Sequence, residues 1–546
     1  MVTLARTVVV AAGVFAPGHL GELTQYLPFE LVDDVLAQTR TVQRRLRKLP
    51  SRAGVYFVLA LAMFPRLGYA RVWGKLAAGL AGLDLPSPSE KALRDLRRRL
   101  GPAPLRALFE VVAGPLAQPR TPGVSFAGLR TVAFDGLNSL KVPDTDRNRT
   151  WIGRIRYRMG FAGYPTLRLM TLAETGTRGL LGATVGSASD RDEAHLARRL
   201  LPLLGPGMLV LLDRAFDAAW FLAQVHATGA MLLVRAKSSR DPRVLAHLPD
   251  GSYLSRLDGL DVRIIEATVG VTGADGSRVS DSYRLITTLT DAGRYPATAL
   301  VRLYHERWEI ESAFLALRHT LLGGHVLRSG DRPGIEQELW ALLTLYQLVR
   351  MAMVEAIEAR PGTDPDRASF TTALEAARDQ LTAAQGICPS GPPARPGTIG
   401  RAVLATLLPA RRPRYSSRTI KCSTSRYHER DPSRPQAPAT ITAIDITVHT
   451  PALSTATPRR AHRKAPASLT PRPPTRRQRV TALMATEPRR DWPGRELAER
   501  LQVKPRIMHT QLREWALLGF ITRSGYGIYR LNTPPHYASS TTAPDP

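Results

Sequence analysis

The 546-residue sequence predicts a multidomain α/β protein. Three observations carry that reading. In the region 121–360, three strand-like segments are followed by alternating helical and strand patterns, the order of a mixed sheet covered by helices. Before them, apolar residues recur at three and four positions, the period of amphipathic helices. After them the chain turns to Pro, Arg, Ser and Thr, and periodicity returns only near the C-terminus. At about 150 residues per domain the length corresponds to roughly three to four domains. A content of 44% hydrophobic and 22% charged residues supplies enough apolar material for packed cores.

Residues 1–120 read as a helical domain, with Leu31, Val35 and Leu36, then Val55, Leu59 and Leu61, at helical spacing and Pro28, Pro50, Pro65 and Pro86 between the helices. Two basic runs, 43–48 and 94–99, fit either a DNA contact or a solvated helix face. Residues 121–360 form the α/β core. Strands are expected at 131–135, 167–174 and 179–185, a helix at 192–204 stopped by Gly205-Pro206-Gly207, and a buried parallel strand at 208–212. A helix at 218–227 and a strand at 231–234 follow, then a β-rich insertion over 237–295 and long helices over 299–322 and 337–359. Residues 361–475 read as a helix and then a partly disordered basic linker. The tail, 476–535, shows three helices and a hairpin around Ser524-Gly525-Tyr526-Gly527, the order of a winged helix-turn-helix; a small helical dimerisation domain is the competing reading.

The charge narrows the function. Lys and Arg number 75 against 46 Asp and Glu, a net charge of +29 with a pI near 10.9. Of that, +17 sits in the last 146 residues and +12 in the remaining 400, so the whole chain is basic and a polyanion is the first partner to consider. A composition-wide arginine bias would produce the same excess. Cys388 and Cys422 stand alone, which argues against disulfide or zinc frameworks. No uninterrupted apolar run approaches the ~18 residues of a membrane span. A reducing cytoplasmic setting without a membrane partner is expected.

Gly-rich nucleotide loops, His-Glu-x-x-His and Gly-x-Ser-x-Gly are absent from the sequence. Carboxylates at strand ends remain. In an open α/β sheet the carboxyl ends of the strands face the functional crevice, which points to Asp135 and Asp213. Either alone would more often be a turn or cap residue. On a continuous helix Tyr304, Arg307, Glu311 and Arg318 fall within an arc of about 60° at 100° per residue, beside an apolar stripe, while Glu306 and Glu309 point away. Two Asp and a Glu are hard oxygen ligands suited to a pair of Mg²⁺ or Mn²⁺ ions, with Arg307, Arg318 and the Tyr304 hydroxyl available to a phosphate. Trp308 could stack an extruded base or pack in the core.

The segment Tyr304-x2-Arg307-x3-Glu311-x6-Arg318 resembles the Tyr-Arg-Glu-Lys signature of transposases of the insertion sequence 4 type, with Arg in place of the final Lys. Val132-Ala133-Phe134-Asp135-Gly136 and Leu211-Leu212-Asp213-Arg214-Ala215-Phe216 are similar to the two Asp motifs of that DDE family. The resemblance implies a ribonuclease H-like catalytic core, divalent metal at Asp135, Asp213 and Glu311, and cut-and-paste strand transfer. It also implies a synaptic homodimer holding double-stranded DNA, both terminal inverted repeats and target, in the cytoplasm of a bacterium beside its nucleoid. A DNA-binding regulator with an inactive core, or a ribonuclease H-like nuclease that cleaves without joining, are the alternatives. The tail lies outside these motifs. Its third helix carries Lys504, Arg506, Thr510 and Arg513 near one end, while Met508, Leu512 and Trp515 are spaced to face inward, an arrangement suited to a major groove.

Overall fold

The structure is a computed structural model. It describes residues 18–385 apart from 44, 46–47, 81–82, 155, 158–159, 162, 188–189, 191, 238, 275 and 308; then 387, 396–410, 414–415, 419–421, 428–430 and 439–452; and finally 476–517 apart from 504, and 520–532. It divides into two compact units, Met1–Ser454 and Thr455–Pro546.

The first unit opens with five helices: α1 (Phe29–Gln38), α2 (Ser51–Met63), α3 (Tyr69–Ala77), α4 (Glu90–Leu100) and α5 (Ala103–Val112). Pro28 and Pro50 stand at the N-caps of α1 and α2, where a missing N–H breaks no helical bond. Ser89 caps α4 by accepting the Ala92 N–H at 3.2 Å, and Gly101, at φ 66°, ends it. The sheet region follows with β1 (Leu129–Lys141), β2 (Thr166–Glu174), β3 (Leu180–Gly186), α6 (Glu193–Ala197), β4 (Met208–Leu212), α7 (Ala219–Ala227) and β5 (Met231–Arg235). The insertion supplies β6 (Tyr253–Leu257), β7 (Leu260–Gly273) and β8 (Arg278–Thr287). Helices α8 (Ala297–Glu306), α9 (Glu309–Leu315), α10 (Arg332–Glu358), α11 (Phe370–Thr382) and α12 (Thr398–Ala405) come next, then β9 (Ala439–His449).

These strands share one sheet in the order β9-β7-β8-β5-β4-β1-β2-β3. β1, β4 and β5 run parallel, and every other pair along this path is antiparallel. Each face buries its own core. Val132, Phe134, Val210 and Leu212 pack on Phe216, Phe221 and Leu196. Ala133 and Leu211, alternate residues of the same strands, belong instead with Leu169 of β2 to the core formed with α2, α5, α8 and α10, so the N-terminal helices and the sheet are built around a common interior. α10 is long and apolar enough to cross a membrane, yet 89% of its apolar window is buried here, and its composition serves packing.

The structure departs from the sequence expectations in four places. The helix expected at 192–204 is only α6 and a 3₁₀ stretch, Arg198–Leu203, because Pro202 lacks the N–H that an α-helix needs. The helix expected at 299–322 is broken between α8 and α9 and finishes as a π-helix, Ala316–Leu321. Within the expected basic linker, β9 pairs with β7 along nearly its whole length, its Ile444, Ile446 and Val448 packing on the main core. Finally, the basic run 94–99 is divided: Arg97 is buried and binds Glu338 at 3.0 Å and Gln337 at 2.9 Å, whereas Arg94, Arg98 and Arg99 are exposed.

The second unit contains α13 (Arg476–Ala485), β10 (Trp492–Pro493), α14 (Gly494–Arg500), α15 (Pro505–Leu517), β11 (Ile521–Gly525) and β12 (Ile528–Leu531). Its sheet order is β10-β12-β11, all antiparallel. Trp492, Met508 and Leu512 are fully buried with Val480 and Met484, and Trp515 closes the same core, so these three residues of α15 face inward as their spacing predicts. Gly527, at φ 72°, makes the hairpin turn and leaves Tyr526 96% exposed at its tip.

Candidate active site

Backbone pairing brings the two aspartates together. β1 and β4 pair in parallel from Arg130↔Met208 to Ala133↔Leu211, every pair 78 residues apart. Two steps past the last pair, and with the same separation of 78, come Asp135 and, one residue beyond the end of β4, Asp213. With the two-residue period, Asp135 takes the face of Ala133 and Asp213 that of Leu211, the face on which α8 and α9 pack. Asp135 is not at the end of its own strand as the sequence suggested; β1 continues to Lys141, and what ends at Ala133 is its pairing with β4.

Each carboxylate is anchored locally. Asp135 Oδ1 accepts the Gly136 N–H at 2.9 Å, and Asp213 caps a 3₁₀ turn, Arg214–Phe216, by accepting the Ala215 N–H at 2.7 Å. Both side chains are half-buried, which leaves them reachable from solvent. Asp144 and Asp217 are engaged elsewhere, with Arg149 and Arg240.

Tyr304 comes to the site from α8. It is 5% exposed, and its hydroxyl donates to the Leu212 carbonyl at 3.1 Å, one residue before Asp213. Where the sequence made this hydroxyl available to a phosphate, here it is turned to the strand end. Burial pushes the hydroxyl above its ordinary pKa, Arg307 pulls it back and Asp213 adds to the rise, so Tyr304 remains a neutral donor. Arg307 is also buried, its guanidinium 5.8 Å from the centre of the Tyr304 ring.

The helical wheel for 304–318 holds only in part, because the helix is not continuous. Glu311 lies in α9, which packs against β1, but its side chain, like that of Glu309, is outside the described residues, as is Trp308. Arg318 lies in the π-helix, whose wider turn re-aims it. Its Nη1 donates to Ser139 Oγ at 2.8 Å and its Nε to His319 Nε2 at 2.8 Å, so Arg318 sits beside β1, four residues beyond Asp135.

Sequence reasoning missed the group that surrounds this pair. Between Leu137 and Leu140 the β1–β2 register slips, and Asn138 and Ser139 together oppose Arg168, a β-bulge. Ser139 receives Arg318 on one side, while the Asn138 amide donates to Glu193 Oε1 at 2.7 Å on the other. The signal was present: Leu137 and Leu140 are both buried but three apart in a strand of period two.

The donors fit a hard divalent cation, since two carboxylates where the β1–β4 pairing ends are oxygen ligands that a third carboxylate from α9 could complete. Among the described residues no three His, Cys, Asp or Glu side chains already form a metal cage.

A mixed sheet of this order, with two aspartates on or just beyond its central parallel strands, fits a ribonuclease H-like core, the class to which DDE transposases belong. Comparison with known proteins agrees. Residues 132–348 match the model of the transposase DDE domain, and residues 17–110 that of the insertion element 4 transposase N-terminal domain. The chain is 28% identical over 418 residues to transposase InsG for insertion sequence element IS4 of Escherichia coli (strain K12), covering 74% of this chain and 92% of InsG. InsZ of the same organism is 27% identical over 206 residues, 38% of this chain and 67% of InsZ. The piggyBac transposase synaptic complex with hairpin DNA covers 71% of this chain and 84% of its own at 10% identity, with a TM-score of 0.37, too loose a likeness to carry argument. The chain belongs to the insertion sequence 4 family of DDE transposases, enzymes of DNA cleavage and strand transfer that depend on divalent metal.

Proposed function

We propose that the chain cleaves DNA at the terminal inverted repeats of its own element and joins the freed 3′-hydroxyls to target DNA, with Asp135, Asp213 and Glu311 as ligands of two Mg²⁺ or Mn²⁺ ions. The common register of Asp135 and Asp213 carries this reading. When bound, such a pair supplies Lewis-acid stabilisation of the attacking and leaving oxygens. The protein's own residues do the rest: Tyr304 fixes the Leu212–Asp213 strand end, and Arg318, seated on Ser139, offers a guanidinium to the scissile phosphate. Arg307, packed over Tyr304, orients that ring rather than gripping phosphate.

The second unit supports a DNA-binding role. We read its three helices and strand order β10-β12-β11 as a winged helix-turn-helix, in which α15 would enter a major groove. Arg513 on α15 is exposed; the side chains of Lys504, Arg506 and Thr510, named by the sequence, lie outside the described residues. A homodimer that synapses two element ends, acting in the bacterial cytoplasm beside the nucleoid, completes the reading.

The test is a supercoiled-plasmid assay with labelled element ends and Mg²⁺. Joined products support transposition, nicks without joining indicate a nuclease, and DNA binding without reaction indicates a regulator. Asp135→Asn, Asp213→Asn and Glu311→Gln should each abolish cleavage and leave DNA binding intact.

A further inference from the structure

Glu193 is a carboxylate that neither the DDE motifs nor the signature on α8 and α9 includes. It begins α6, whose first turn is closed by Asp192 accepting the His195 N–H at 3.0 Å. Ala194, Leu196 and Ala197 of α6 pack on the sheet face opposite Tyr304. Glu193 therefore approaches β1 from the other side of the sheet. Two features of β1 receive it: the bulge turns Asn138 to donate to Oε1 at 2.7 Å, and Gly136 leaves the space it occupies. A Cβ at position 136 would lie 2.8 Å from Oε1, closer than a real Cβ ever comes. Gly136 has no positive-φ backbone to explain its presence, so the room it leaves for Glu193 is its evident use here.

We propose that Glu193 is a positioning residue of the metal centre, an outer carboxylate that steadies the hydration shell of the bound ion from the sheet face opposite α9. The inference rests on Asp135 and Asp213 being the metal ligands. Its support is positional: Gly136 follows Asp135 directly, Asn138 is three residues beyond it, and α6 packs against the 3₁₀ turn that Asp213 caps. An outer carboxylate of this kind changes metal affinity by about 10–100-fold when removed.

The test measures metal binding itself. Titrating the full chain with Mn²⁺ and following the free ion by electron paramagnetic resonance, Glu193→Gln should weaken binding by about 10-fold or more. Asn138→Ala and Gly136→Ala should weaken it too, the latter by displacing a carboxylate that is still present. Thermal unfolding identifies which variants remain folded, and the two β1 substitutions keep the idea open to refutation if Glu193→Gln does not fold. Wild-type Mn²⁺ affinity in folded Glu193→Gln, or in both β1 variants, overturns it. Asp213→Ala separates the two levels. Mn²⁺ binding abolished there but kept in Glu193→Gln removes only the role of Glu193, whereas binding kept in Asp213→Ala removes the carboxylate centre as well.

Discussion

Replacing Tyr304 by Phe removes the hydroxyl that links the Leu212 carbonyl and Arg307. The ring stays, with its edge contact to Tyr283 at 5.8 Å between centroids and Arg307 above it. What goes is the 3.1 Å bond from the hydroxyl to the Leu212 carbonyl, together with the hydroxyl's bond from Arg307, in a place where the side chain is 5% exposed. Leaving a buried carbonyl short of a partner costs about 1–2 kcal/mol, so a small loss of stability is expected. The effect on catalysis should be larger than that figure suggests, because the freed carbonyl is followed directly by Asp213, and misplacing a catalytic group by about 1 Å can cost 100-fold in rate. We therefore expect single-turnover cleavage of an end-labelled duplex to fall by about 10- to 100-fold. DNA affinity and its salt dependence should be unchanged, since this hydroxyl is committed to protein. Weaker DNA binding with an unchanged log-log salt slope would instead make Tyr304 a phosphate ligand, because a neutral hydroxyl releases no counterion. Cleavage at the wild-type rate would refute the brace altogether.

Ser139→Ala removes the seat of Arg318, a bond of about 1 kcal/mol, and should slow cleavage several-fold in the same single-turnover assay without altering the Mg²⁺ concentration required. Glu309→Ala should cost little where Glu311→Gln is inactive, both folded by circular dichroism; equal inactivity would mean that the alignment through α9 is displaced. Deleting residues 455–546 should weaken DNA binding and flatten its salt dependence, by about one in slope for each DNA phosphate that the second unit neutralises, as read by fluorescence anisotropy. Glu338→Ala strands the buried Arg97 and should destabilise the first unit by about 3 kcal/mol or more in denaturant unfolding, with no specific change in metal dependence.

Much of this was legible in the residues, for identifiable reasons. β4 reads directly from Met208-Leu-Val-Leu-Leu212 because a parallel strand buried on both faces must be continuously apolar. The three tail helices and hairpin followed from amphipathic spacing and a glycine turn, features of local chain chemistry. What escaped was set by partners distant in sequence. β9 looks like linker because only half of it is covered, and its mate, β7, is more than 160 residues earlier. The break after Glu306 and the π-helix at 316–321 defeat a wheel that assumes 100° per residue throughout. Glu193 carries no motif at all; its place depends on a bulge and a glycine in another strand.

The register between β1 and β4 explains why the first two motif residues tolerate so much intervening chain. The ladder offset of 78 is also the separation of Asp135 from Asp213, so the sheet itself, rather than any loop, sets the carboxylates side by side. A slip of one residue would turn Asp213 to the opposite face and bury Val210 and Leu212 in the wrong core, a penalty shared by every apolar residue of β4. The placement of the two aspartates is thereby protected by the packing of the whole strand. The third carboxylate has no such protection. It arrives on a short helix after a break, following an insertion whose strands extend the same sheet beyond β5. Substitutions in the insertion that leave the β1–β4 pairing intact should therefore disturb Glu311 before they disturb the aspartates. Mn²⁺ binding should persist, weakened, in such variants after cleavage has ceased, whereas variants that loosen β4 should lose both together.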